Sequence, residues 1–562
     1  MMWQFKRGKK NLLNQDIAPD EIFLDSENIP DYDNSQFEGR IERPVRKGTI
    51  IILSTIFLLV GVLYSTKVWA LQIKNGEDYL TQSEIHRLRF GLSFADRGNI
   101  SDRNGTPLAW NETKSEYEFD LRKYIDVPGF SNLLGYIRYP QKDKAGFYYE
   151  VDFEGMDGIE NSFDHIIKGE NGLKIIEINA VNEVISQSTV RDSNHGESIT
   201  LTIDSEIQTK LYESIEKIAL QSGFSGGGGV IMDVETGELL ALVTYPEYNS
   251  NILSSATSTE ALAQFQNNTN NPFLHRVIDG LYTPGSIVKP YVAIGALQEK
   301  IIAPDTNILS TGYIEVPNKY NPDNPTRFAD WKAHGLVDVR RALAMSSNVY
   351  FYVVGGGFNG QEGLGIERLE KYLRMFGFGQ SVRGSFFEGP VGTIPNQKWK
   401  EENFDGDPWR IGDTYFTSIG QYGFQVTPLQ VVRAVSALAN GGKLVEPIIV
   451  SNRESQIIQR LDISEDVLQI VREGMRDGVT SGTVQGLNMD NLHVAGKTGT
   501  AELGVSKANV NSWVTGFFPY ENPKYAFVVV MEKGDRHNLI GGVAVMRGFF
   551  DWLRFNRPEF LD

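Results

Sequence analysis

TPGSIVKP, Thr283 to Pro290, is the stretch on which the reading of this chain turns. Pro284–Gly285 breaks the chain, and the IVKPYVAIGALQEK that follows has helical apolar spacing, which predicts Ser286 at a helix N-terminus. Lys289 then lies one turn on, on the same face. A serine hydroxyl becomes a nucleophile when a base takes its proton, and a desolvated neutral lysine can be that base. A helix start also offers amide N–H groups and positive potential to a developing oxyanion. The spacing alone is cheap. Ser214–Lys217 (SIEK) has it too, on the polar side of the preceding helix and without a proline–glycine break.

Further along the chain, 60 residues past Ser286, Ser346–Ser347–Asn348 interrupts two apolar runs, VRRALAM and VYFYVVG. Small polar residues in such a place are either hydrogen-bonded core groups or the wall of a site. The S-x-N pattern also occurs at Ser26–Glu27–Asn28, in a polar tail where it carries no meaning. The third stretch, 151 residues beyond Ser346, is Lys497–Thr498–Gly499–Thr500 in HVAGKTGTAE. Alternation places it on a strand, where Gly496 and Gly499 permit close approach of another backbone. A lysine and two hydroxyls at a strand edge suit a carboxylate. In this order, S-x-x-K, S-x-N and K-T-G form a signature shared by penicillin-binding proteins and class A β-lactamases.

The surroundings agree. From TLTIDSEIQ (Thr200–Gln208) an amphipathic helix capped by Asp204 is expected to run to about Gln221. The run Gly226–Gly229 reads as a glycine-rich loop, and VIMDVETGELLALVTYPE after it as a hairpin about Glu235–Gly237. NSWVTGFF and YAFVVVMEK read as the last strands, before a terminal helix near Val543–Leu553. The expectation is one large α+β domain over 196–562, an antiparallel sheet flanked by helices. Gly223–Gly227 (GFSGG) formally matches G-x-S-x-G, but that elbow needs a strand before the serine and a helix after it. Here the order is reversed.

Residues 75–195 carry short alternating runs and turn signals, such as FADRGNISDRNGTPLAW (Phe94–Trp110) with a turn at Asn104–Gly105, and predict an extended β-rich domain. Before it, Gly48–Thr66 (GTIIILSTIFLLVGVLYST) is free of charge, which assigns 48–67 to a transmembrane helix. Arg40, Arg43, Arg46 and Lys47 precede it and only Lys67 and Lys74 follow closely, which puts residues 1–47, a polar and disordered tail, in the cytoplasm. The catalytic part is then extracytoplasmic. A net charge of −17 argues against nucleic acid as a partner, and the absence of cysteine removes thiolate chemistry and disulfides. No metal site and no cofactor are expected.

With these motifs the chain resembles class B penicillin-binding proteins, and within them the elongation-type penicillin-binding protein 2 subfamily. RGNISDRNG (Arg97–Gly105) and GIENSFDHIIKGENG (Gly158–Gly172) look like the two motifs of the family's pedestal. DWKAHGLVDVRRALAMSSNVYFY (Asp330–Tyr352) and GDTYFTSIGQYGFQVTPLQ (Gly412–Gln430) resemble stretches of the elongation subfamily. The resemblance implies a pedestal (dimerisation-like) domain at 75–195 and a transpeptidase domain at 196–562. It implies that Ser286 attacks the penultimate D-Ala carbonyl of a peptidoglycan stem peptide, with Lys289 as base and Ser346 and Asn348 as proton relay and peptide holders. Lys497, Thr498, Gly499 and Thr500 would form the carboxylate-binding strand, and the amides of Ser286 and Thr500 the oxyanion hole. β-Lactams would acylate Ser286, and a polymerising partner of the SEDS glycosyltransferase kind (RodA-like) is implied. A division-type relative and a catalytically silent β-lactam sensor or scaffold are the alternatives. A class A β-lactamase would need an E-x-x-L-N deacylation motif, and none stands between the second and third motifs.

Overall fold

The structure, a computed structural model, describes residues 46–561 apart from 145, 180–182, 256–258, 319–320, 322, 505–506 and 539. The tail reading of 1–45 and the chance match at Ser26 lie outside these residues. The described residues form two compact units. One runs up to Arg89 and takes in Glu177–Ile185; the other comprises Phe90–Ile176 and the chain from Ser186 onward.

The first unit holds a helix, Lys47–Trp69, which continues as a π-helical turn, Ala70–Lys74. At 1.5 Å per residue the α-helical part alone is about 35 Å long, enough for a hydrocarbon core of about 30 Å. None of its side chains is buried. Two of its threonines donate back into the helix, Thr55 to the Ile51 carbonyl (2.7 Å) and Thr66 to that of Val62 (2.8 Å), so neither of these hydroxyls asks for water. Among the described residues this is the one helix long and apolar enough to cross a membrane.

The second unit begins with a four-stranded sheet, in the order Ile199–Thr200, Ile100–Ser101, Pro107–Glu112, Leu121–Tyr124. Buried Glu160 lies between two buried guanidiniums, with its Oε1 accepting from Arg122 Nε at 2.7 Å and its other oxygen from Arg97 Nε. Arg97 also reaches Asp164 at 2.7 Å, so RGNISDRNG and GIENSFDHII hold each other through one charged knot. Burial alone would raise the Glu160 pKa, but Arg122 and Arg97 hold it below the ordinary carboxylate value. Asp102 reaches the other way, accepting from the Ser205 hydroxyl at 2.7 Å.

Ser205 starts the helix α1, Ser205–Ser222, whose cap is Asp204, with Gly223 in the left-handed conformation at its end. The sheet strands are β1 (Gly226–Asp233), β2 (Leu239–Tyr245), β3 (Ala495–Leu503), β4 (Asn509–Phe518) and β5 (Tyr525–Asp535). They lie antiparallel in the order β2-β1-β5-β4-β3, which leaves β3 at an edge. Other helices of the core include α2 (Lys289–Gln298), α3 (Val339–Met345), α4 (Asn348–Gly356), α5 (Pro428–Ala439), α6 (Glu465–Ser481) and α7 (Gly542–Asn556). Alternation along β5 shows the layering. Phe527, Val529 and Met531 pack with α1 and α7, while Ala526, Val528 and Val530 belong to the larger core of α2 to α6. A sheet covered on both faces reads as an unbroken apolar run, as VVVM does.

One expectation is corrected. Gly226–Gly229 is not a loop but the buried first half of β1. A Cβ on Gly226 would stand 2.7 Å from both Arg276 Nε and Glu532 Oε2, and one on Gly229 would stand 2.9 Å from Leu211 Cδ2. Glycine is there because neighbouring groups come too close for a side chain, and that tertiary demand overrides its weak strand propensity.

Candidate active site

The Ser286 turn is built from three sides. Gly285–Val288 forms a 3-10 turn that runs into α2. Gly285 sits at φ +57°, and a Cβ there would stand 2.8 Å from the Thr500 carbonyl oxygen, so glycine is required for the turn to lie against β3. On the far side the Gly285 amide donates to the Gly420 carbonyl at 2.9 Å, and Tyr282 and Val426 exchange two backbone bonds of 2.9 Å. From below, the Trp513 indole donates to the Thr283 carbonyl at 3.1 Å and the Tyr282 hydroxyl donates to Glu532 at 2.6 Å. Ser286 itself is half-buried.

Lys289 is fully buried one turn later. Its amine donates to the Ser346 carbonyl at 2.8 Å and to Asn348 Oδ1 at 2.7 Å, and lies 3.4 Å from the Ser346 hydroxyl. Lys497, on β3 and 1% exposed, donates to the same Ser346 hydroxyl at 2.8 Å and to the Thr498 carbonyl at 3.0 Å. The first-motif lysine, the second motif and the third-motif lysine therefore meet around Ser346. Burial lowers the Lys289 pKa to about 7 against a smaller opposing pull from Asp330. Burial, and then the charge of Lys289, hold Lys497 well below the ordinary lysine value. Two ammonium ions around one hydroxyl in a dry pocket repel each other, so at least one amine is neutral near pH 7.

The Ser346–Asn348 wall is held by backbone geometry. Ser346 ends α3 in the left-handed conformation at φ +55°, and Ser347 caps α4 by accepting from the Tyr350 amide. Thr498 and Thr500 share the other face of β3 from Lys497: Thr500 is exposed, and Thr498 Oγ1 lies 2.8 Å from Thr483 Oγ1. Gly499 is where β3 meets the nucleophile turn, since a Cβ there would stand 2.7 Å from the Pro284 carbonyl. Ser214 of the competing SIEK match is spent inside α1, its hydroxyl donating to the Lys210 carbonyl at 2.8 Å.

A model of the penicillin-binding protein transpeptidase domain matches residues 227–545, more than half of the chain, and one of the penicillin-binding protein dimerisation domain matches 119–201. The chain belongs to the penicillin-binding protein transpeptidase family. Among relatives, the peptidoglycan D,D-transpeptidase MrdA of Haemophilus influenzae is 29% identical over 86% of this chain and 88% of its own length. Among solved structures, penicillin-binding protein 2 of Helicobacter pylori, in complex with MreC, superposes with a TM-score of 0.69 at 28% identity, covering 84% of this chain and all of that one. Penicillin-binding protein 2 of Pseudomonas aeruginosa, in complex with WCK 5153, gives 0.69 at 26% identity, covering 84% of this chain and 98% of that one.

Two features of this penicillin-binding protein's site escape motif reading. Asp330 lies beneath the second motif, its Oδ2 accepting from the Ser347 hydroxyl (2.8 Å) and the Val349 amide (3.0 Å). Burial alone would raise its pKa, but those amide and hydroxyl bonds and the Lys289 charge hold it below the ordinary carboxylate value. Gly420, at φ +74°, passes the nucleophile turn so closely that a Cβ on it would stand 2.2 Å from the Gly285 carbonyl. Both lie in stretches that resemble the elongation subfamily, yet nothing in their spacing ties them to Ser286.

Proposed function

We propose that this penicillin-binding protein is an elongation-type serine D,D-transpeptidase, which cross-links peptidoglycan stem peptides through an acyl-enzyme on Ser286. The observation that carries the reading is the meeting of the Lys289 and Lys497 amines at the Ser346 hydroxyl, beside a turn pinned on three sides. In neutral Lys289 two N–H bonds are used on the Ser346 carbonyl and Asn348 Oδ1, which leaves the nitrogen lone pair free to accept a proton. That lone pair takes the Ser286 proton as Oγ attacks the D-Ala carbonyl. The carbonyl oxygen becomes an oxyanion, met by the amides of Ser286 and Thr500. As the C–N bond breaks, a proton passed through the Ser346 hydroxyl goes to the departing amine of the terminal D-Ala. An acceptor amine then attacks the ester in the reverse sense, forming the cross-link and returning the proton to Ser286.

The substrate's terminal carboxylate meets Thr498 and Thr500 on the outer face of β3, within the field of Lys497 behind it. A β-lactam presents a similar carboxylate and amide to the same groups and stays on Ser286 as an ester. No step calls on a cofactor or a metal ion.

The domain reading goes with this: tail 1–47, span 48–67, pedestal 75–195 and transpeptidase domain 196–562, with the tail cytoplasmic and the site outside a bacterial cytoplasmic membrane. Supporting it are the apolar helix with no buried side chain and the basic residues before it. A SEDS-type glycosyltransferase of the RodA kind supplies the glycan, docking on the span and pedestal. Loss of co-purification when 48–195 is replaced by an unrelated anchor supports this, and retention counts against it.

The central test is labelling with a fluorescent penicillin. The full chain is expected to label and Ser286→Ala to stay dark. Equal labelling of both would remove Ser286 from its role, and no labelling of either would leave a silent scaffold.

A further inference from the structure

Four aromatic side chains cluster about Tyr422, two residues past the Gly420 that meets the nucleophile turn, without a part in the chemistry above. The Tyr422 ring centre lies 5.6 Å from that of Trp399, 5.9 Å from Phe404 and 5.9 Å from Trp409, and Trp399 lies 5.5 Å from Phe404. The set is not closed into the core. Phe404 is 45% exposed, and Trp399, Trp409 and Tyr422 are half-buried. Tyr422 takes φ +67°, an uncommon conformation for a bulky residue, and its neighbour Gly423 leaves room that a Cβ, 2.4 Å from Trp399, would fill.

The support under the rings is stiff and electrically balanced. Lys400, 2% exposed, lies beneath with its amine 5.9 Å from the Tyr422 ring centre, and is paired with Asp413 at 2.5 Å and Asp407 at 3.1 Å. The Trp409 indole donates to Thr414 at 2.8 Å. With the one buried cation matched by two carboxylates, the patch has no unpaired ammonium to offer an anion. What it offers is aromatic surface bordered by polar groups, the Asp407–Arg410 pair among them: the Phe404 and Tyr422 rings lie within 10° of parallel, and Trp399 and Trp409 meet Tyr422 edge-on. That combination suits a neutral ring whose C–H edge is slightly positive and whose rim is polar, as in a pyranose.

Position decides which pyranose. The Gly420 carbonyl accepts from the Gly285 amide beside Ser286, and Tyr422 follows two residues later, at most about 7.6 Å along the chain. An extended peptide spans about 3.3–3.6 Å per residue, so a stem peptide that is held at Ser286 and runs over Gly420 puts its sugar-bearing end among these rings within a few residues.

We propose that Trp399, Phe404, Trp409 and Tyr422 form a stacking platform for the N-acetylated pyranose rings of the glycan strand whose stem peptide occupies the Ser286 cleft. This rests on the transpeptidase reading, and it adds a sugar subsite to a site so far described by its peptide alone. The test titrates the full-length protein in detergent with a peptide-free β-1,4-linked N-acetylglucosamine tetramer, followed by calorimetry and tryptophan fluorescence. Phe404→Ala and Tyr422→Asn are compared with the parent chain, asparagine being chosen because it tolerates the left-handed backbone. The parent chain is expected to bind the tetramer, both variants to bind at least tenfold more weakly, and fluorescent-penicillin labelling to stay unchanged in all three. Absence of tetramer binding by a parent chain that labels with penicillin overturns the platform, as does equal binding by both variants. A variant effect on a sugar-free stem peptide instead of the tetramer overturns it too. A parent chain that binds the tetramer without labelling would count against the transpeptidase reading alone.

Discussion

The Asp330 carboxylate lies 2.8 Å from the Ser347 hydroxyl and holds the second motif from beneath. Through the Val349 amide it also fixes the start of α4, on which Asn348 stands to meet Lys289. Its charge favours protonated Lys289. Asp330→Asn removes that pull and disturbs the turn. We expect slower acylation by penicillin, by about tenfold, a value typical of losing a positioning contact worth 1–2 kcal/mol. The remaining activity should have its acidic limb at lower pH, because Lys289 then loses its proton more readily. An unshifted limb would disconnect Asp330 from the lysine.

In the parent chain, acylation needs neutral Lys289, whose pKa burial lowers to about 7. The second-order rate constant for penicillin should therefore rise through about pH 7 and level off above it. Burial holds His334 below the ordinary imidazole value, on the acid side of that rise. Stability follows the same lysine. Its pKa is depressed on folding, so the unfolded chain binds more protons between about pH 7 and the ordinary lysine value, and folding stability gains as pH rises through that window. Lys289→Met should abolish acylation and flatten the rise of melting temperature over this window. A rate constant independent of pH from 6 to 9 would exclude this lysine as the base.

Gly420→Ala probes the outer support of the nucleophile turn. The new methyl would stand 2.2 Å from the Gly285 carbonyl, on a backbone at φ +74°. The turn must move, and acylation should fall at least tenfold, with a stability loss of about 1–3 kcal/mol. Gly223→Ala is the matched comparison, at φ +68° with nothing within 4 Å. It carries only the left-handed strain of about 1–2 kcal/mol and should acylate at the parent rate. Equal acylation by the two variants would show that contact with Gly285 does not set the position of Ser286.

The order of the three motifs, the capped helix, the 235–237 hairpin and the last two strands were all legible because each is a local pattern with a local cause. Asp204 sits where a cap should, and alternation along YAFVVVMEK survives as two buried faces. What stayed hidden depends on residues far apart in the chain. Asp330 acts across 17 residues on Ser347, and Gly420 meets Gly285 across 135, without a motif to link either pair. The glycine run failed for the same reason. Its local propensity says turn, while Arg276, Glu532 and Leu211 converge to require the smallest residue inside a strand.

That convergence makes a ranking testable. In Gly226→Ala the new methyl meets the buried Arg276–Glu532 pair at 2.7 Å and the Tyr245 carbonyl at 2.8 Å, and none of these can retreat without breaking a bond. In Gly229→Ala it meets the ends of Leu211 and Ile215 at 2.9 and 3.0 Å, which can change rotamer. Both overpack, a class of change that costs about 1–3 kcal/mol, and Gly226→Ala should lie at the upper end with the lower melting temperature. Because Glu532 also accepts from Tyr282, four residues before Ser286, Gly226→Ala should slow acylation as well, whereas Gly229→Ala should not. Equal melting temperatures with unaltered acylation would mean that the Arg276–Glu532 pair moves freely, and that Tyr282 is not anchored through it.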